Sequence, residues 1–171
     1  MRRITSGPTG AFFVLFHLFS HVSVLAQEPI QPPEAEREVA AVAQRFLEAL
    51  SAADTATLAG LLAPGATIHS VREGEGGASL RVVTREDFLA SLGGETEQLL
   101  ERMWEPTVLV RGGVAMVWTP YDFHLNGSFS HCGIDVFTLL KGEEGWQVTG
   151  ITYNVVREGC QPSPLGPPGG I

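Results

Sequence analysis

The stretch from Trp118 to Asp135 (W-T-P-Y-D-F-H-L-N-G-S-F-S-H-C-G-I-D) concentrates the side chains that can do chemistry. It holds Asp122, His124, His131 and Asp135, with Trp118, Tyr121 and Cys132 among them. A carboxylate beside an imidazole raises the imidazole's pKa and fixes its tautomer, which makes a general acid/base pair. His131 with Asp122 or Asp135 is the pair on offer. The competing reading is a hydrogen-bonded polar pair that supports a sheet. A metal site from His124, His131 and Asp122 has no recognised ligand spacing, so no metal is assigned. No cofactor is assigned either.

Asn126-Gly127 between two alternating runs is the strongest short-range hairpin signal a sequence offers. With a two-residue turn, Leu125 pairs with Ser128, Asp122 with His131, and Trp118 with Asp135. Side chains alternate along a strand. Trp118, Pro120, Asp122, His124, Phe129, His131, Asp135 and Phe137 then share one face. Val117, Thr119, Tyr121, Phe123, Cys132, Ile134 and Val136 share the other. The first set mixes aromatics with titratable groups, as a ligand pocket does. Phe137 and Leu139 extend it, so it is expected to point inward. On this reading His131, Asp135 and Asp122 are the catalytic candidates. Trp118, His124 and Phe137 line the ligand, and Tyr153 reaches it with its hydroxyl. Tyr121, Phe123 and Ile134 then form an apolar outer face, the kind of patch that marks an interface, here a sheet-to-sheet homodimer. His131 and Cys132 are adjacent on a strand and point apart, which argues against a nucleophile–base pair.

Helices must precede this sheet. Val39, Val42, Phe46 and Leu50 recur at spacings of three and four, predicting a helix over about 34–53. Asp54 is a good N-cap for a shorter helix carrying Leu58, Leu61 and Leu62, with Pro64-Gly65 ending it. A short strand follows at 66–71, with His69 at its edge or in a pocket. A flexible loop is expected over 73–79 and a strand over 80–83. Thr84 caps a third helix, with Phe88, Leu89 and Leu92 on its apolar face and Gly93-Gly94 as its stop. Residues 95–103 read equally as a helical turn or a loop. From Trp104 the period is alternating: strands at 107–111, 114–125, 128–140 and 146–157 make a four-stranded antiparallel meander. The architecture is α+β, three helices on a strongly curved antiparallel sheet. Such a sheet encloses a cone-shaped cavity, a natural small-molecule site.

The run R-F-L-E-A-L-S-A-A-D-T-A-T-L-A-G-L-L-A-P-G-A-T-I, from Arg45 to Ile68, resembles the opening of the NTF2-like superfamily in its SnoaL-like branch. The W-x-P-Y-x-F strand and the meander through Trp146–Tyr153 fit the same family. The resemblance spans about Glu36 to Arg157 and implies a cone-shaped α+β barrel. It does not settle activity, because this scaffold carries isomerases, dehydratases, cyclases, binding domains and transport adaptors. Ketosteroid-isomerase-like members place a general-base carboxylate on the first strand. Here that position falls at His69 or Ser70, and no carboxylate stands there.

The chain has 171 residues and a net charge of −8. Arg2-Arg3, the apolar run 11–25 and Val24-Leu25-Ala26 have the layout of a secretory signal over 1–26, implying an exported protein, periplasmic or secreted. Residues 27–33 (Q-E-P-I-Q-P-P) read as a linker, 34–160 as the domain, and the Pro/Gly-rich 161–171 as a disordered tail. No second run long enough to span a membrane occurs. The acidity argues against nucleic acid. Export permits a disulfide between Cys132 and Cys160, provided the chain turns back at Gly159. The expected function is binding of a small, partly apolar ligand in the cone. The alternatives are a cofactor-free lyase or isomerase using a His–Asp pair, and an interaction domain that dimerises through its sheet.

Overall fold

Val39, Phe46, Leu47 and Leu50 lie on one side of helix α1 (Glu34–Ser51), and the rest of the fold closes over that stripe. The structure is a computed structural model and describes residues 33–168 except 75 and 95. The expected signal segment and all but the last residue of the linker lie outside the described residues. Helix α2 (Thr55–Leu61) starts where expected: the Asp54 carboxylate accepts from the Thr57 N–H at 3.0 Å. It stops earlier, because strand β1 (Leu62–Gly74) begins at once and Pro64-Gly65 lies in its irregular start. Strand β2 (Gly77–Thr84) returns antiparallel to β1. The loop expected over 73–79 is therefore a hairpin, closed by Gly77 at φ +99. Helix α3 (Arg85–Leu92) is capped by Thr84, whose hydroxyl accepts from the Asp87 N–H at 3.1 Å. Arg85 also donates to the Ala59 carbonyl at 2.8 Å, satisfying an end of α2 that has no intrahelical donor.

The ambiguous 95–103 stretch resolves as strand β3 (Leu99–Met103), followed by β4 (Thr107–Arg111), β5 (Val114–Leu125), β6 (Ser128–Gly142) and β7 (Gly145–Val155). The strand order is β2-β1-β7-β6-β5-β3, with β4 also on β5. Strands β3 and β4 occupy successive halves of one edge of β5, broken where Glu105 takes φ 47. Strand β1 runs parallel to β7, so the sheet is mixed where an antiparallel one was expected.

The inner face packs on α1 and α3. Phe137 on β6 meets Phe46 edge-on at 5.7 Å, and Phe46 stacks on Phe88 at 6.0 Å. Each fully buried side chain of this size contributes roughly 1.5–3 kcal/mol.

Two features of β5 and β6 decide what the cavity sees. Asn126 (φ 51) and Gly127 (φ 75) make the expected two-residue turn, and Leu125 pairs with Ser128 and His124 with Phe129. Phe123 then pairs with His131, leaving Ser130 as an extra residue in β6. This β-bulge reverses the parity of everything beyond it. Asp122 lies opposite Cys132 and Trp118 opposite Val136, which corrects the pairing read from the sequence.

Of the C-terminal segment, residues 161–168 lie against the outer face of the sheet. Cys132 and Val156 exchange backbone hydrogen bonds of 2.9 and 2.8 Å, and Gly159 (φ 76) turns the chain back. Cys160 thereby reaches Cys132 and forms a disulfide with a Cα–Cα separation of 6.1 Å. Further on, Arg102 Nη1 donates to the Gly166 carbonyl at 3.0 Å.

Candidate functional site

A cavity of about 390 Å³ lies between the helices and the inner sheet face. Phe46, Phe88, Phe123 and Phe137 supply aromatic wall, with Leu50, Leu99 and Ile151. Asp135, Glu101, His131, Tyr153, Arg72, Arg81, Glu97 and Ser91 supply the polar groups.

Asp135 is the deepest of these, 2% exposed, held between Thr119 on β5 and Tyr153 on β7. No N–H or hydroxyl donor of the described residues reaches its Oδ2. Burial pushes its pKa up to about 7. The sheet's curl brings Glu101 of β3 beside it. Burial first, then the Asp135 charge, raises the Glu101 carboxyl well above the usual carboxylate range. The two behave as one pair, with the proton favoured on Glu101, which can donate to Asp135. The Glu101 backbone N–H donates to the Ser51 hydroxyl at 3.0 Å, which ties β3 to the end of α1.

His131 lines the same cavity but has no carboxylate partner among the described residues. It stacks on Phe123 at 4.9 Å and meets Tyr121 edge-on at 5.8 Å. Its Nδ1 lies 3.0 Å from the Ser130 hydroxyl. Burial, then the Arg157 and Arg72 charges, lower its pKa to about 4, so the ring is neutral at pH 7. The shift is opposite to the one expected of a His–Asp pair.

Tyr121 and Phe123 face inward, not outward as expected. Tyr121 is buried across the backbone of Gly133 and donates from its hydroxyl to the Asn154 carbonyl at 2.8 Å. Burial raises its pKa, and the Asp135 and Glu101 charges add to the rise.

The remaining predicted residues lie on the other side of the sheet. Arg102 grips Asp122 with two guanidinium nitrogens, through Nε at 2.9 Å and through Nη2. His124 Nε2 lies 3.3 Å from the same carboxylate. Burial alone would raise the Asp122 pKa, but Arg102 and His124 together hold it below the usual range. The C-terminal segment covers this cluster, leaving a hollow of about 400 Å³ beneath Pro162, Ser163 and Gly166. Trp118 is 47% exposed on the outer face. Asp122, His124 and Trp118 are thus separated from His131, Asp135, Phe137 and Tyr153 by the thickness of the sheet. His69 is also outside, exposed, within 2.9 Å of the Thr67 hydroxyl. Ser70 faces inward opposite Arg81, so the first strand brings no carboxylate to the cavity.

Glu101, Arg72 and Arg81 escaped the sequence reading. For Glu101 the available signal is the alternation Leu99, Glu101, Met103, an acid at an apolar position of a strand. Among the described residues no group of three His, Cys, Asp or Glu side chains stands ready to hold a metal ion.

Comparison with solved structures supports the fold. An NTF2-like protein with a cystatin-like fold from Novosphingobium aromaticivorans is 14% identical, with TM-score 0.57 over 74% of this chain and 84% of that one. An NTF2-like protein from Cytophaga hutchinsonii is 12% identical, with TM-score 0.58 over 69% and 95%. An NTF2-like superfamily protein from Salmonella enterica serovar Typhimurium is 16% identical, with TM-score 0.56 over 80% and 97%. At these identities the likeness is one of fold. No curated protein matches the chain. Residues 34–154, from the first turn of α1 nearly to the end of β7, match the family described as "Putative lumazine-binding", and the chain belongs to that family, on an NTF2-like fold.

Proposed function

We propose that the domain binds a small, partly apolar molecule in the cavity, with a hydrogen-bonding group of that molecule presented to Asp135 and Glu101. The observation that carries this reading is Asp135 Oδ2, a buried carboxyl oxygen at the wall of an open volume, which no N–H or hydroxyl donor of the described residues reaches and which has only the neighbouring Glu101 carboxyl to share a proton with. An unpaired buried polar atom costs free energy, and a ligand donor removes that cost. The remaining wall is aromatic and aliphatic, the usual composition of a small-molecule site. The family's description points the same way. Lumazine, a flat bicycle with N–H donors, is a molecule of this kind.

Titration with the neutral fluorescent probe N-phenyl-1-naphthylamine, with lumazine in competition, tests the reading. One probe should bind per chain, and Leu99→Trp, which fills the cavity, should abolish binding. Asp135→Leu should weaken lumazine and spare the probe. A folded Leu99→Trp variant that still binds the probe normally would sink the proposal.

A second reading, cofactor-free lyase or isomerase chemistry, is favoured by Asp135 titrating at about 7. A base poised near neutrality can take a proton from a carbon next to a carbonyl while the protonated carboxyl beside it donates a hydrogen bond to the carbonyl oxygen. The base is then Asp135 with Glu101, because His131 is neutral and faces no carboxylate. Deuterium exchange into a bound ketone, present in the wild type and absent in Asp135→Asn, is the expected result. Equal exchange in both would remove this reading.

Export rests on the N-terminal segment, and the intact mass of the exported chain should begin at Gln27. We also read the outer sheet face as a homodimer surface, now built from Trp118, Leu109, Val114 and Leu140.

A further inference from the structure

We propose that the cavity's ligand is an organic carboxylate, its head held by Arg72 and Arg81 at the mouth and its apolar body lying along the phenylalanines within. This rests on the ligand-binding reading above and names its chemical class. Arg72 on β1 and Arg81 on β2 line the same cavity as Asp135. In the hairpin register, Arg81 lies opposite Ser70 and Arg72 opposite Ser79, so the two arginines are diagonal neighbours on one face. Like charges on neighbouring strands repel unless an anion joins them. Among the described residues neither has an ion pair, although Arg85, Arg102 and Lys141 each find a carboxylate. The chain as a whole carries −8, so acidic groups are not scarce. Two unpaired guanidiniums directed at one hollow in an acidic protein are a place for an anion from outside. Two planar forks match the two oxygens of a carboxylate.

The field of these arginines is felt inside. Arg72 opposes protonation of His131 and favours ionisation of Tyr121, which places its charge within electrostatic reach of the aromatic wall. Deeper in, the Asp135–Glu101 pair would repel an anionic group. The cavity is therefore polarised: two arginines against the single carboxylate of Glu97 at the mouth, an apolar wall along Phe46, Phe88 and Phe137, and an acidic pair at depth. An anion enters head-outward. At roughly 30 Å³ for each water-sized unit, 390 Å³ holds about a dozen non-hydrogen atoms.

The test compares octanoate with 1-octanol by calorimetry on the full chain. Octanoate should bind at least about tenfold more tightly than 1-octanol. The Arg72→Gln/Arg81→Gln variant should lose that preference and bind 1-octanol as before. Lysine at both positions should restore much of it. Arg111→Gln, an exposed arginine on β4 outside the cavity, should change nothing. Octanoate binding should also weaken with salt. If 1-octanol binds as tightly as octanoate and the double variant is indifferent, the carboxylate inference is overturned while the ligand-binding reading stands. The inference also fails alone if neither compound binds but N-phenyl-1-naphthylamine does. Loss of all three overturns both.

Discussion

Asp135 and Glu101 bring two carboxyl groups to one wall of the cavity, and only one of them can ionise freely. The ordinary value for an Asp is 3.8, and burial lifts Asp135 to about 7. Between those values the unfolded chain releases a proton that the folded chain keeps. Stability contributed by this group is therefore fully present below about pH 4 and lost as pH rises through about 7. The loss should amount to about 2–4 kcal/mol, at 1.36 kcal/mol per pKa unit. Asp135→Asn removes it. Urea unfolding at pH 4, 6 and 8 should show the variant gaining on the wild type as pH rises. A difference that stays constant with pH would show that Asp135 is not held near neutrality.

The Glu101 proton can be read directly. At pH 7 the infrared spectrum should contain the band of a protonated carboxyl that disappears in Glu101→Gln. Its persistence in that variant, with loss in Asp135→Asn instead, would place the proton on the other member of the pair.

The fold was largely legible in the sequence, because its signals are local. Asp54 and Thr84 cap the helices they were expected to cap, and Asn126-Gly127 makes the turn it was expected to make. Residues His131, Asp135, Phe137 and Tyr153 line one cavity. The partners of Asp135 were not legible. Nothing in F-S-H-C marks Ser130 as an extra residue, and one inserted residue exchanges the two faces of β5 relative to β6. Asp122 and Trp118 were placed with His131 for that reason alone. Glu101 sits in a five-residue strand whose short alternation of Leu99, Glu101 and Met103 does not by itself separate strand from helical turn, and it reaches Asp135 only through the sheet's curl. The tail's Pro and Gly content reads as disorder, but a disulfide and one arginine hydrogen bond hold it in place.

The disulfide should matter more to the tail than to the cavity. Cys132 and Cys160 are 28 residues apart, and closing such a loop is worth about 3–4 kcal/mol in the chain-entropy description. Replacing both by alanine should lower unfolding stability by about 2–4 kcal/mol and leave a folded domain. It should also speed tryptic cleavage after Arg157, because the segment covering Asp122 and His124 would lose its anchor. Unchanged cleavage would mean that Arg102 alone holds the tail.

Gly133 has no room for a side chain. A Cβ there would stand 2.1 Å from the Asn154 carbonyl oxygen and 2.8 Å from the Tyr121 ring. The first neighbour is backbone and cannot rotate away, so β6 and β7 must part. Gly133→Ala should cost about 2–3 kcal/mol, as overpacking does. Tyr121→Phe, which only leaves the Asn154 carbonyl without a donor, should cost about 1 kcal/mol. Equal costs in urea unfolding would mean that the glycine is not the constraint.

Trp118, Leu109, Val114 and Leu140 leave large apolar side chains exposed on the outer face, at 47%, 57%, 60% and 49%. The bulge at Ser130 turned Tyr121 and Phe123 inward, so the patch is smaller than the sequence implied, and the tail covers its other end. Strand register puts Trp118 beside Val136 and Leu109 beside Met116, which makes the patch continuous across three strands. A contiguous apolar surface on a sheet is the usual mark of a protein contact. If two copies meet there, light scattering should give a dimer at micromolar concentration. Trp118→Asp should then give a folded monomer that still binds N-phenyl-1-naphthylamine, since Trp118 is outside the cavity. A wild-type protein that is monomeric at high concentration would rule out the dimer reading and leave the cavity untouched.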